Sequence, residues 1–379
     1  MPKQYLLTPG PTPVPERAAL KMAEPIIHHR TPEFEAVLAQ VREQLKWLFQ
    51  TKEEVIMFAS SGTGAMEASI SNLLSSGDKA LVIKGGKFGE RWVEILKAYK
   101  IETIEIPVEW GKALDLKKVE EALSAHPEIR AVYVQASETS TGIKYPIKEL
   151  ADLIGPREET LLVVDAITAL GVFALPMDEW KIDVLVTGSQ KALMLPPGLS
   201  FAALSQKAWK FAEKSNLPRY YFNFKKELKN LQKNQNAFTP AVTLIIGLHE
   251  VLSMMQEEGL EKIFERNARM ARATREAMLT LGLSLFAPDS PSDAVTAVLV
   301  PSGMDAGKII KHVWEKQGVK IADGQDQAKG KIFRISHMGY IREPDLLIGI
   351  AAIEMALQDL GNPVELGKGV GKALEVLKK

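Results

Sequence analysis

Between residues 55 and 204 the chain alternates short apolar runs with stretches whose apolar residues recur every three or four positions. The runs predict strands over 55–59, 80–83, 102–106, 131–135, 161–165, 183–187 and 200–204. Runs such as Leu161-Leu162-Val163-Val164 are apolar on both faces, as strands must be in a parallel sheet covered by helices on each side. The stretches between them read as helices over 65–74, 89–99, 116–124 and 147–154. Upstream, Phe34, Val37, Leu38, Val41, Leu45 and Leu48 share one face of a helix over 33–49. Residues 1–16 carry five prolines and cannot form regular helix or a central strand, so they read as an extended arm.

After about residue 240 the texture changes. Long helices are expected over 241–258 and 260–281, then strands over 294–300 and 331–336 and helices over 305–317 and 343–360. The expected architecture is α/β. An arm over 1–16 leads into a large domain over 17–258, with a mostly parallel sheet flanked by helices, and a smaller α+β domain over 259–379.

Composition narrows the chemistry. At 379 residues and 46% hydrophobic, the chain can bury two sizeable cores. Forty-seven basic residues balance 47 acidic ones, which leaves no electrostatic footprint for nucleic acid. The absence of cysteine excludes disulfides, thiolate metal sites and a cysteine nucleophile. The proline-rich start does not read as a signal peptide, and no charge-free apolar stretch reaches the roughly 18 residues of a membrane span. A cytoplasmic protein with no membrane segment is expected.

Three positions carry candidate chemistry. Asp165 ends the apolar run LLVVD, at the carboxyl end of a strand, where open α/β sheets bind ligands. Taken alone it is equally an N-cap or a turn residue. Lys191 lies in TGSQKALMLPPG, with small residues before it and apolar ones after. A lysine there is partly desolvated, which lowers its pKa and frees a neutral amine for Schiff-base chemistry. A solvated loop lysine is the plainer alternative. Ser60-Ser61-Gly62-Thr63-Gly64 falls between a strand and a helix, where exposed N–H groups and the helix dipole favour an anion, although ordinary turns look the same. Together the three supply an anion cradle, a carboxylate and an activated amine, the set that pyridoxal 5'-phosphate requires.

The sequence resembles class V aminotransferases of fold type I, near the alanine–glyoxylate and serine–glyoxylate (serine–pyruvate) enzymes. The resemblance runs through LTPGPTPVPE, HHRTPEF, ASSGTGAMEA, ASETSTG, VVDAITALG, TGSQKALMLPPG, NAFTPAV and FRISHMG, nearly the whole chain. It implies that Lys191 bonds the cofactor's aldehyde and Asp165 pairs with its pyridine nitrogen. Ser61, Gly62, Thr63 and Gln190 match phosphate contacts. Phe88 matches an aromatic stacked on the ring, Ile167 an apolar contact on the other face, and Thr139 a hydroxyl near the 3' oxygen. Thr239 matches a phosphate ligand given by a neighbouring subunit, and Asn236 its companion, where some relatives have tyrosine. Arg334 matches the arginine that binds a substrate's α-carboxylate, and Gly10 lies in the arm segment that closes over the substrate. A homodimer with shared active sites follows. His28 and His29 are adjacent and point apart, so no metal is expected.

The expected activity is ping-pong transfer of an amino group from alanine or serine to glyoxylate or pyruvate. Rival readings are an aspartate or phosphoserine aminotransferase of the same class, or a non-catalytic subunit on the same fold. A desulfurase lacks its cysteine here.

Overall fold

The structure is a computed structural model that describes residues 4–379. The chain opens with a two-residue strand, β1 (Tyr5–Leu6), and the helices α1 (Glu16–Met22) and α2 (Pro32–Phe49). Strands and helices then alternate: β2 (Val55–Phe58), α3 (Gly62–Ser71), β3 (Lys79–Lys84), α4 (Lys87–Ala98), β4 (Glu102–Pro107), α5 (Leu116–Ala125) and β5 (Ile129–Gln135). A short hairpin, β6 (Ser137–Glu138) and β7 (Ile143–Lys144), precedes α6 (Ile147–Ile154), β8 (Leu161–Asp165), α7 (Met177–Trp180), β9 (Val184–Gly188) and β10 (Ser200–Leu204). Next come the helices α8 (Gln206–Lys214), α9 (Phe224–Leu231), α10 (Val242–Glu258) and α11 (Leu260–Thr280). The chain ends with β11 (Ser284–Leu285), β12 (Val295–Leu299), α12 (Ala306–Gln317), β13 (Val319–Lys320), β14 (Ala322–Asp323), β15 (Ile332–Ser336), α13 (Glu343–Asp359) and α14 (Lys368–Leu377).

All seven strands expected between residues 55 and 204 lie in one sheet, in the order β2-β10-β9-β8-β5-β3-β4. Strands β8, β9 and β10 are buried along their whole length, which explains their unbroken apolar runs. The edge strand β4 exposes Glu102 and Glu105. Neighbours are parallel except at β10, which runs antiparallel to both β2 and β9. An apolar run carries no direction. Here the loop over 189–199 contains no helix to cross the chain over, so β10 turns back beside β9.

A second, antiparallel sheet has the order β11-β12-β15-β14. It packs with α11, α12 and α13 around a separate core that includes Met270, Phe333, Ile335, Ile350 and Ile353. Sequence patterning assigned no element to 206–231, where α8 and α9 form, nor to α1, α14 and the two-residue strands. Two-residue strands are too short to show any period.

The described part of the arm contains no helix before Glu16 and bends over residues 8–11, and its residues 1–3 lie outside the described residues. Tyr5 and Leu6 pair in parallel with Val319 and Lys320, an edge position. Leu7, 1% exposed, enters the second core. A Cβ on Gly349 would lie 2.3 Å from Leu7 Cδ1, so the glycine leaves room for it. Leu7→Ala should therefore lower unfolding stability by about 2–5 kcal/mol, read as a shift of the denaturant midpoint. An unchanged midpoint would mean that the arm is not docked.

Candidate active site

The loops after β2, β8 and β9 all leave the carboxyl edge of the large sheet, and each brings one predicted residue group to the same place. Asp165, the last residue of β8, is 4% exposed. Its Oδ1 accepts the N–H of Ile167 at 2.8 Å, and no described residue donates to Oδ2. Burial pushes its pKa up to about 7. The Ile167 N–H opposes this, Glu138 adds to it, and Arg91 and Lys191 pull it back down.

Lys191 sits in the loop joining β9 to β10, and its amine donates to the carbonyl of Pro9 in the arm. The arm also grips the loop's backbone. Thr12 donates its N–H to Gln190 O at 3.1 Å and its hydroxyl to Lys191 O at 2.7 Å. Gly10, at φ +123°, lies against the lysine so closely that a Cβ there would be 2.4 Å from Nζ. Desolvation, and after it the charge of Arg334, lower the Lys191 pKa to about 8, with Asp165 opposing.

Arg334 reaches the same place from the second sheet. On β15, Phe333 and Ile335 face the second core, so the alternation of strand side chains turns Arg334 the other way. Its Nε and Nη2 donate to Asp323 O at 2.9 and 2.6 Å, and Nη1 donates to Thr139 O at 3.0 Å. A guanidinium has about five N–H donors, so one remains on each terminal nitrogen, the pair a carboxylate takes end-on. Burial lowers its pKa to about 10.

The remaining predicted residues divide into two groups. Ser61 is the N-cap residue of α3 but its side chain makes no capping bond, and Gly62 and Thr63 form the first turn. A Cβ on Gly62 would lie 2.5 Å from Ile167 Cδ1, so the loops after β2 and β8 touch. Gln190 Oε1 is buried without a partner, near Gly188. Phe88 is partly buried on α4, and Thr139 Oγ1 lies 2.6 Å from Thr168 Oγ1. Asn236 and Thr239, by contrast, line a small cavity with Phe58, Tyr221 and Glu227. No described hydrogen bond joins them to the Lys191 loop, and Asn236 Oδ1 is buried without a partner. Glu227 accepts the N–H of Ala237 at 3.2 Å, and burial pushes its pKa up to about 7.

His337 is fully buried. Its Nε2 lies 3.1 Å from Thr296 Oγ1 and its Nδ1 lies 3.3 Å from Asp293 O, and burial lowers its pKa to about 3, which fits a neutral structural role. Among the described residues, no group of three or more His, Cys, Asp or Glu is placed to hold a metal.

Sequence reasoning gave no individual role to three residues, although Thr12 ends the arm segment 8–12 matched to the one that closes over the substrate. Thr12 clamps the lysine loop. Glu138, fully buried, caps the start of α4 by accepting the N–H groups of Phe88 and Gly89 at 3.1 Å each, and it also accepts from Ser140 N and Oγ. Arg91 Nη1 donates to Thr63 Oγ1 at 3.3 Å. Only Arg91 left a trace in the pattern: it stands three residues after Phe88, on the same helix face.

Residues 5–345 match the family model for class V aminotransferases. The chain belongs to that family. It is 44% identical to the soluble hydrogenase 42 kDa subunit of Anabaena cylindrica over 99% of this chain and 98% of that one. It is 38% identical to the L-aspartate–glyoxylate aminotransferase of Paracoccus denitrificans (98% of this chain, 95% of that) and 37% identical to the serine–glyoxylate aminotransferase of Methylorubrum extorquens (100% and 96%). The structure of ureidoglycine–glyoxylate aminotransferase from Bacillus subtilis superimposes with a TM-score of 0.95 at 28% identity, covering 100% of this chain and 99% of that one.

Class V aminotransferases use pyridoxal 5'-phosphate, and the side chains present fit it. The N-terminus of α3 lacks a side-chain cap, and the orphaned Gln190 amide, turned about its last torsion, offers an N–H donor. Asp165 Oδ2 is open to a ring N–H, and Gly10 and Gly62 leave space where a Cβ would collide.

A lysine of pKa about 8 is neutral in about a tenth of molecules at pH 7, several hundred times the fraction for an ordinary lysine. In cofactor-free protein, the rate at which Lys191 forms an imine with a small aldehyde should rise through pH 8 and then level off. A rate still climbing above pH 10 in wild type but absent from Lys191→Ala would refute the lowered pKa.

Proposed function

We propose that the protein transfers an amino group from a small amino acid, alanine or serine, to glyoxylate or pyruvate. The observation that carries this reading is the Arg334 guanidinium, which keeps one N–H on each terminal nitrogen for a single carboxylate, whereas Arg91 donates to Thr63 at the start of α3. Lys84 is paired with Glu105, Lys87 with Glu90 and Asp326, and Arg30 donates to Gln235. A dicarboxylate would bring an unpaired charge into the site, at a cost of several kcal/mol.

When bound, pyridoxal 5'-phosphate supplies an aldehyde for condensation with an amine and a ring that accepts the electron pair of a broken Cα–H bond. Lys191 would hold the cofactor through its aldehyde and, as a free amine, would take the proton from the substrate's Cα as general base and deliver it to the former aldehyde carbon as general acid. Its lowered pKa suits both directions. Asp165, its pKa pushed up to about 7 by burial, gains most from a protonated ring nitrogen beside it and so would keep that nitrogen charged. Arg334 fixes the α-carboxylate, which orients the Cα–H bond toward the lysine. The Pro9-Gly10 backbone covers the lysine and keeps water from the reacting amine.

A homodimer with shared sites is part of the proposal. Tyr220 (76% exposed), Ile26 (72%) and Leu20 (71%) remain at the surface of one chain, and Tyr220 packs on Phe238, beside Thr239. A cytoplasmic location accords with the absence of cysteine and of any described helix able to cross a membrane. A second reading, aspartate as donor, is favoured by the relative that acts on aspartate and glyoxylate. The hydrogenase-subunit name of another relative suggests a binding role, but Lys191, Asp165 and Arg334 are all present and brought together here.

Comparison of kcat/KM for alanine, serine, aspartate and phosphoserine with glyoxylate tests the substrate class. Alanine or serine should lead. A tenfold preference for aspartate or phosphoserine, about 1.4 kcal/mol, would overturn the small-substrate reading. Lys191→Ala should fold normally and lose all steady-state transamination. Residual turnover in that variant would remove the lysine from its role.

A further inference from the structure

Arg91 has no task in the reading above. It stands one turn along α4 from Phe88, partly buried, with its guanidinium carbon 4.8 Å from the centre of the Phe88 ring. Its Nη1 donates to the hydroxyl of Thr63, in the first turn of α3. Among the described residues no carboxylate pairs with it, although Lys87, four residues earlier on the same helix, is paired twice. The charge is felt inside the site, where it lowers the pKa of both Asp165 and Lys191. A guanidinium partly out of water and without a counter-ion is costly, and an arriving anion relieves that cost. The nearest feature built for an anion is the α3 N-terminus, uncapped and one side chain away.

We propose that Arg91 is the counter-charge of the phosphate cradle: a positioning residue that fixes Thr63 through its hydroxyl and adds the positive charge that backbone N–H groups alone lack. This rests on the reading that the cradle takes the phosphate of pyridoxal 5'-phosphate. It predicts that Arg91 serves the phosphate group and leaves recognition of the ring unchanged. The fork geometry of arginine allows one nitrogen to hold Thr63 while the others stay free for phosphate oxygens.

The test is a fluorescence titration of the full-length, cofactor-free protein with pyridoxal 5'-phosphate and, separately, with pyridoxal, which lacks the phosphate. In Arg91→Met, affinity for pyridoxal 5'-phosphate should fall tenfold or more while affinity for pyridoxal changes less than twofold. Arg91→Lys should recover part of the loss. Arg91→Gln, which keeps a donor but no charge, should lose as much as Arg91→Met and serves in its place if the methionine variant does not fold. Equal weakening of both compounds would show a purely structural role and overturn the proposal, as would no weakening of either. If wild-type protein bound both compounds equally, the phosphate-cradle reading itself would fall and the Arg91 proposal with it. A wild-type preference for the phosphorylated form that survives in Arg91→Gln would reject Arg91 alone.

Discussion

Four charged groups, Asp165, Glu138, Lys191 and Arg334, are held within mutual electrostatic reach where the large sheet meets the second one. Taking charges out of water is costly, and the cost is met only if each finds partners of fixed geometry. Here the partners are mostly backbone. Arg334 is held by the carbonyls of Asp323 and Thr139, Glu138 by the N–H groups of Phe88, Gly89 and Ser140, Asp165 by Ile167, and Lys191 by Pro9. Each bond commits a different element, so the arm, the start of α4, the β6–β7 hairpin and the β14–β15 pair are all fixed by the same few charges.

The arm shows how that constraint shapes the fold. Its first described residues belong to the second sheet's side of the molecule through β13 and Leu7, and a few residues later Thr12 and Pro9 hold the lysine loop of the large sheet. Ser336, at the end of the strand that carries Arg334, donates its N–H to Leu7 O at 2.8 Å. A short stretch of chain therefore ties the strand of Arg334 to the Lys191 loop. Proline suits this stretch because it is non-helical backbone that needs few N–H donors, and Gly10 suits it because the lysine leaves no room for a Cβ.

Sequence patterning found the seven strands of the large sheet because burial on both faces writes an unbroken apolar run, as in β8. It did not give the direction of β10, which depends on the missing crossover after β9. Lys191, Asp165 and Arg334 were legible through motifs, and the structure gathers them. Thr12 and Glu138 sat inside quoted motifs yet went unassigned, because their work is done across long sequence separations, 179 residues in the case of Thr12 and Lys191. Nothing in a periodic pattern encodes such a contact. Asn236 and Thr239 lie apart from the other predicted residues: they line a small cavity with Phe58, Tyr221 and Glu227, and no described hydrogen bond joins them to the lysine loop.

The central claim is that the buried Lys191 amine forms the covalent link to pyridoxal 5'-phosphate. Borohydride reduction of the protein after incubation with the cofactor, followed by protease digestion and peptide mass spectrometry, tests it directly. The account predicts a single phosphopyridoxyl label, on the peptide that contains Lys191. A label on another lysine, or none at all, would contradict it.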